Sequence, residues 1–353
     1  MRRILIDGIQ GNEILAQDIY SGINTILMSK GIQLKKEYIS RLKALNIKYI
    51  YVEDEISKGV DDRSITEIQI KKDCINQLET IWEKLICNTG KELIGAKEVA
   101  AKIMDDLLKQ PRLVYCISGV REKSEMVYSH SLNVCAMSVL IAIRMKLQKK
   151  KIYEIAEGSL LHDIGFAKIP DEIKEKSKEK LNVAENREIN LHTIYGYDYL
   201  EKEEWISKAA KEIILCHHEH LDGSGSPFGR KGDKLNIGCR IVAVCDTFDR
   251  MVYGIFTERL KVHEVIEYII NQADRYFDKE VVEIFNRSIA AYPNGTLVRT
   301  NEGETGIVLR QNENFSSRPV IRMLKDKYGK TYKSWVEKNL EQELSLFIED
   351  TIE

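Results

Sequence analysis

Proline, paired cysteine and long apolar runs are all scarce in this chain, and each shortage removes a class of protein. There are 5 prolines in 353 residues, too few for a proline-rich linker. The 7 cysteines (Cys74, Cys87, Cys116, Cys135, Cys216, Cys239 and Cys245) form no CxxC pair and no repeated spacing. They read as reduced, mostly buried small residues and not as a disulfide framework or a thiolate zinc site. Lys+Arg (53) nearly balance Asp+Glu (55), giving a net charge of −2. That balance argues against broad coating of DNA or an anionic membrane and leaves room only for a local basic pocket. The longest apolar stretch, Val134 to Ile143, is about half of the roughly 20 residues that span a bilayer, so no membrane insertion is expected. Arg2-Arg3 is followed by only Ile4-Leu5-Ile6 before Asp7, without the hydrophobic stretch of a signal peptide, and a cytoplasmic location is the expectation.

Histidine is also rare, but it is clustered. Six of the 7 histidines (His130, His162, His192, His217, His218 and His220) fall within 91 residues, where an even spread would put about two. A nearly neutral chain with so uneven a distribution is expected to concentrate its function in one site.

At about 100 to 200 residues per domain, the length suggests two or three domains. Residues 1–60 carry short β-like runs, Thr25-Ile26-Leu27-Met28 and Tyr49-Ile50-Tyr51-Val52, around a helical Glu37-to-Leu45 segment. This pattern predicts a small α/β module. Residues 61–111 read as a helical connector, with Ile68, Cys74, Leu78, Trp82 and Leu85 on one face. Core packing is the favoured use of that face. The same stretch is the candidate surface for a homodimer or a signalling protein partner. From 112 to 290 the pattern is a succession of amphipathic helices broken at Gly165-to-Pro170, at the charged stretch Asp171 to Lys180, and at Gly223-to-Pro227. Residues 291–353 change period again, and Thr296 to Arg299, Thr305 to Leu309 and Val320 to Met323 predict a short β appendage. The fold class is therefore mainly α, a helical bundle with small mixed and β additions.

His162-Asp163 closes an apolar helical run that Gly165 terminates, so both side chains lie near a helix C-terminus. An imidazole beside a carboxylate can serve one divalent ion, or two if the carboxylate bridges. His130 lies within a helix from about Glu125 to Lys146, where a buried structural histidine is the plain alternative. His192 opens a stripe with Gly196 and Leu200, and His217-His218 ends the stripe Trp205, Ala209, Ile213, His217. Asp246 interrupts the apolar run Ile241 to Cys245, where an unpaired carboxylate is costly. Taken singly each residue reads as structural. Taken together, on successive helices, they point to a binuclear metal site. A ligand set without cysteine argues for iron, manganese or a similar hydrolytic centre over structural zinc.

These residues, with Ile164-Gly165 after His162-Asp163, the run His217-His218-Glu219-His220-Leu221-Asp222-Gly223-Ser224-Gly225-Ser226-Pro227, and Asp246-Thr247-Phe248-Asp249, resemble the HD-GYP family over roughly residues 112 to 325. Members of that family are bacterial metal-dependent phosphodiesterases that hydrolyse cyclic di-GMP on the helical HD-superfamily fold. The resemblance implies that His130, His162, Asp163 and Asp246 hold one divalent ion while His192, His217 and His218 hold a second, with Asp163 bridging. It also implies catalysis centred on His162 and Asp163, in which a metal-bridging hydroxide attacks phosphorus. Substrate contacts are implied for Gly225, Ser226, Pro227 and Asp249.

The departures are specific. Phe166 stands where the family usually has a phosphate-gripping lysine, leaving Lys168 as the nearest stand-in. Ser226 replaces the signature tyrosine, and Ile255 and Glu258 replace two arginines. Met126 occupies the i−4 position where a third metal needs an acid, so two ions are expected. The first reading is a phosphodiesterase acting on cyclic di-GMP or another phosphodiester. The alternatives are a catalytically weak or inactive signalling module, which those four exchanges favour, and a di-iron redox or oxygen-responsive protein, which similar ligand sets on HD folds allow.

Overall fold

The computed structural model describes residues 1–20, 26–45, 47, 49–60, 94–108, 126–174, 176, 180–313 and 315–352. It resolves into two compact units, one built from 1–69, 114–126 and 289–353, the other from 70–113 and 127–288. The connector face Ile68 to Leu85 lies outside the described residues, as do the side chains of Glu125 and Met126.

In the first unit, strands β1 (Arg2–Leu5), β2 (Ile14–Leu15) and β5 (Tyr49–Glu53) form an antiparallel sheet in the order β1-β5-β2. A second pair, β3 (Ile19–Tyr20) with β4 (Ile26–Met28), and the helix Tyr38–Ala44 complete the mixed module. Its core is aliphatic, with Ile4, Ile6, Leu15, Leu34, Leu42, Ile50 and Val52 buried together. The C-terminal strands β6 (Leu297–Thr300), β7 (Thr305–Arg310), β8 (Val320–Lys325), β9 (Thr331–Asn339) and β10 (Ile348–Ile352) form one antiparallel sheet ordered β10-β6-β7-β8-β9. Val60 packs with Ile307 and Leu309, so the end of the mixed module and the C-terminal sheet share apolar burial. Two of the five strands, β9 and β10, are absent from the sequence-based expectation. β9 is an edge strand whose Lys333, Trp335 and Glu337 are exposed, so burial imposes little alternation on it.

The second unit is helical among its described residues. Its principal helices are Ile94–Leu108, Met126–Arg144, Lys149–Leu160, Val183–Asn190, His192–Leu200, Lys208–Cys216, Ile237–Tyr253, Val262–Asn271 and Lys279–Ser288. Their ends follow local chemistry. Asn182 and Glu185 form a capping box, Ser207 accepts from Ala210 N at 3.1 Å, Asn236 accepts from Cys239 N at 3.0 Å, and Gly254 closes its helix at φ 72°. Val127–Arg144 is long and apolar enough to cross a bilayer, but it is mostly buried within the protein. It is a core helix and carries His130 inward.

One close approach fixes the site. A Cβ at Gly165 would overlap the His192 carbonyl oxygen and fall 2.6 Å from Gly196 N. Two glycines thus let the segment after His162-Asp163 lie directly on the first turns of the His192 helix, which brings Asp163 to His192.

Candidate metal centre

Four of the histidines are oriented by what their Nδ1 atoms meet. The Nδ1 of His162 lies 2.7 Å from the Ser159 carbonyl, that of His192 2.6 Å from the Ile189 carbonyl, and that of His217 3.0 Å from the Ile214 carbonyl. A carbonyl only accepts, so each Nδ1 carries a proton and Nε2 is the nitrogen left to face the cluster. His130 Nδ1 donates to Asp249 Oδ2 at 2.7 Å, so its Nε2 is likewise the nitrogen that faces the cluster. All four Nε2 atoms converge. His130 and His162 approach to 3.1 Å, His192 and His217 to 3.3 Å. Lone pairs facing each other in a buried site repel unless a proton or a cation stands between them.

The carboxylates complete two groups. Asp163 Oδ2 lies 3.4 Å from His130 Nε2 and 3.5 Å from His162 Nε2, while its Oδ1 lies 3.3 Å from His192 Nε2 and 3.7 Å from His217 Nε2. Asp246 Oδ1 is 3.1 Å from His130 Nε2 and 3.7 Å from His162 Nε2, and its Oδ2 is 3.4 Å from His218 Nδ1. Donors held about 2.0 to 2.2 Å from one ion lie roughly 3.0 to 3.6 Å from each other, so the spacings suit metal coordination. Two sets, His130-His162-Asp163 and His192-His217-His218, have donor atoms close enough to hold an ion each. The residues therefore fit a divalent metal. The seven expected ligands all come together.

Burial and charge shape the site further. Burial would depress the His130 imidazolium, but hydrogen bonds to Asp246 and Asp249 and the nearby negative charges lift its pKa to about 9. His217 goes the other way, to about 4, chiefly through burial and then through His162 and His192. Burial likewise drives His218 well below its ordinary value. Asp163 and Asp246 are held well below the usual carboxylate range, because neighbouring imidazoles and, for Asp246, Arg250 outweigh their desolvation. Protons and cations compete for this cluster.

The expected substrate contacts are placed differently. Asp249 is fully buried, with one oxygen on His130 Nδ1 and the other accepting from Asn133 Nδ2 at 2.9 Å. The structure places it against the His130 ring and at no open surface. Lys168 is exposed, its ammonium 4.0 Å above the Tyr195 ring. Gly225 packs on the backbone of His218 to His220, where a Cβ would overlap it, and Ser226 N donates to the His218 carbonyl at 3.0 Å. Pro227 follows Ser226 through a cis peptide bond. Glu219 is buried and accepts from Phe228 N and Arg230 N, holding the far end of the same loop. The loop's backbone therefore braces the His217-His218 turn.

The exchanged positions are also visible. The Phe166 ring stacks on His192 at 4.3 Å between centroids and 17°, and Phe256 stacks on Phe166 at 5.4 Å and 6°. Ile255 is buried and Glu258 exposed. Sequence reasoning missed Asn133, Glu219, Arg250 and Phe256. Asn133 and Arg250 sit one helical turn from His130 and Asp246 and were accessible to the i+3 and i+4 rules; Glu219 and Phe256 depend on contacts outside one helix.

Because Asp249 fixes the His130 ring, Asp249→Ala is expected to weaken metal affinity about 10- to 100-fold without unfolding the helical unit. Chelator competition, with circular dichroism as the folding check, measures it. Unchanged affinity would show that the His130 orientation does not depend on this bond.

Residues 115–281 match the HD domain family, and residues 297–353 match the KOW domain associated with HD domain. The chain is 30% identical over 232 residues to the cyclic di-GMP phosphodiesterase PA4108 of Pseudomonas aeruginosa, covering 65% of this chain and 55% of that one. It is 25% identical over 314 residues to the cyclic di-GMP phosphodiesterase PdeB of Borreliella burgdorferi, covering 85% and 80%. It is 31% identical over 195 residues to the 3'3'-cGAMP-specific phosphodiesterase 2 of Vibrio cholerae, covering 54% and 37%. The chain thus spans about half the length of the first of these relatives. Among solved structures, Bd1817, an HDG"Y"P protein from Bdellovibrio bacteriovorus, superposes with a TM-score of 0.53 at 18% identity over 80% of this chain and 97% of that one, a likeness of fold.

Helical fold, His/Asp groups and family match together define an HD domain over residues 115–281. The curated relatives support the HD-GYP type within that class, with Ser226 in the place of the signature tyrosine.

Proposed function

We propose that the protein is a binuclear-metal phosphodiesterase that hydrolyses cyclic di-GMP or a related phosphodiester. The observation that carries this reading is Asp163, whose two oxygens face two different histidine groups. His130, His162, Asp163 and Asp246 would hold one ion, and His192, His217 and His218 the other, with iron or manganese best suited to such an N/O donor set. When bound, the ions would lower the pKa of water and offset charge on the phosphoryl oxygens. The chain's own residues do the rest. Asp249 and the Ser159, Ile189 and Ile214 carbonyls fix the imidazoles, and the Gly225-Ser226 backbone fixes the His218 turn. Reduced, buried Cys135, Cys216, Cys239 and Cys245 fit a cytoplasmic protein.

Protein loaded with manganese or iron is expected to cleave at least one member of a panel of cyclic di-GMP, 3'3'-cGAMP, a linear dinucleotide and bis(p-nitrophenyl) phosphate, and to lose that turnover in chelator. No turnover across the panel, with two ions bound per chain, would sink the reading. A second reading, a non-catalytic signalling module that binds a protein partner, is favoured by one feature: the Phe166 ring lies on His192 in place of a phosphate-gripping cation. Partner capture unaffected by replacement of the metal ligands would support it.

A further inference from the structure

Arg250 sits on the helix Ile237–Tyr253, one turn after Asp246. Its Nη1 lies 3.5 Å from Asp246 Oδ2 and 3.2 Å from His218 Nε2. The ligand cluster is closed on most sides: the side chains of His130, His162, His217 and Asp246 are at most 1% exposed. Its opening is where His218 (18%) and Arg250 (27%) meet solvent. The guanidinium is therefore at the mouth of the site, in contact with one carboxylate oxygen and one imidazole of the ligand cluster.

A guanidinium keeps its proton and offers five donors in a planar fork. Here one Nη reaches Asp246 and His218, an imidazole nitrogen that either accepts from it or serves an ion. Once Asp246 and His218 are committed to a cation, the fork loses those acceptors and a like charge lies beside it. An anion then satisfies both, and a phosphoryl oxygen entering at the mouth has the charge and the paired acceptors to do so. Among the described residues the His192 side offers no such partner, because Phe166 and Phe256 stack there.

Resting on the phosphodiesterase reading above, we propose that Arg250 is the substrate-phosphate residue of this site. It replaces, from the His218 side, the positive charge that Phe166, Ile255 and Glu258 no longer supply. The ligand class is a phosphate ester gripped through one phosphoryl group, and the aromatic wall supplies no cation of that kind on the His192 side.

The test uses manganese-loaded full-length protein and two readouts. Arg250→Gln is expected to weaken binding of inorganic phosphate, measured by titration calorimetry, about 10- to 100-fold. It is expected to raise KM for the best substrate of the panel by a similar factor, with two ions still bound, and Arg250→Lys should recover part of both losses. If Arg250→Gln instead leaves phosphate binding intact, or lowers the number of bound ions, Arg250 only positions His218 and Asp246 and the proposal falls. Phosphate binding that depends on Arg250 in a protein without turnover would uphold the anion site while the phosphodiesterase reading failed.

Discussion

Asp163→Ala is expected to reduce phosphodiester turnover at least about a hundredfold and to leave the chain holding fewer than two ions. Asp163 is the central carboxylate: its Oδ1 faces His192 and His217 and its Oδ2 faces His130 and His162, whereas Asp246 reaches the second group through His218 alone. Asp246 shares the His130 side but turns its second oxygen to His218 and Arg250. Removing the central anion leaves four converging imidazoles without a common counter-charge in a site where Asp163 itself is only 5% exposed. Breaking a buried charge arrangement of this kind costs about 3 to 5 kcal/mol, which is roughly two to four decades in rate when the same arrangement acts in the transition state. Metal content by elemental analysis and turnover on one sample decide the outcome. Circular dichroism distinguishes this loss from unfolding. Full turnover with two ions bound would show that the two histidine groups work without a bridging carboxylate.

The convergence of these seven residues was legible in the sequence because several of them break a local pattern. Asp246 falls within an apolar run, His217-His218 ends an amphipathic stripe, and the Gly165 and Gly196 positions mark a close approach that only a missing Cβ allows. The helical class and three of the five C-terminal strands were legible for the same reason, since buried faces repeat at the helix or strand period. What surrounds the ligands was not. Asp249 stands in a motif that the family resemblance assigns to substrate, yet its helix turns it inward onto His130, 119 residues away in sequence. Arg250 next to it stands one helical turn from Asp246, a spacing that shows an ion pair but no second partner. Its meaning comes from His218, which another helix delivers. Phe166 was legible as a missing cation but not as one layer of a stack, because Phe256 reaches it from a distant turn at φ 51°.

Stripped of metal, the protein is expected to be most stable near pH 6.5 and to weaken on both sides, and metal should remove the alkaline limb. The sign follows from two imidazoles displaced in opposite directions. His130 has a folded pKa of about 9 against 6.5 when unfolded, so its contribution is fully present below pH 6.5 and is lost as pH rises towards 9. His217 has a folded pKa of about 4 against 6.5, so its contribution is present above pH 6.5 and is lost as pH falls towards 4, and His218 adds to the same limb. Each full displacement corresponds to on the order of 3 kcal/mol, a large share of a domain's stability. Asp163 and Asp246, depressed below 3.8, lose their contributions only as pH falls below that value, under the window that matters here. A bound ion takes the place of the His130 Nε2 proton, so affinity for metal should rise with pH up to about 9 and offset the alkaline loss. Urea denaturation of chelator-treated protein from about pH 5 to about pH 9.5, with and without manganese, measures both curves. Stability of the stripped protein that climbs steadily through pH 9 would mean that His130 is not held as an imidazolium between Asp246 and Asp249.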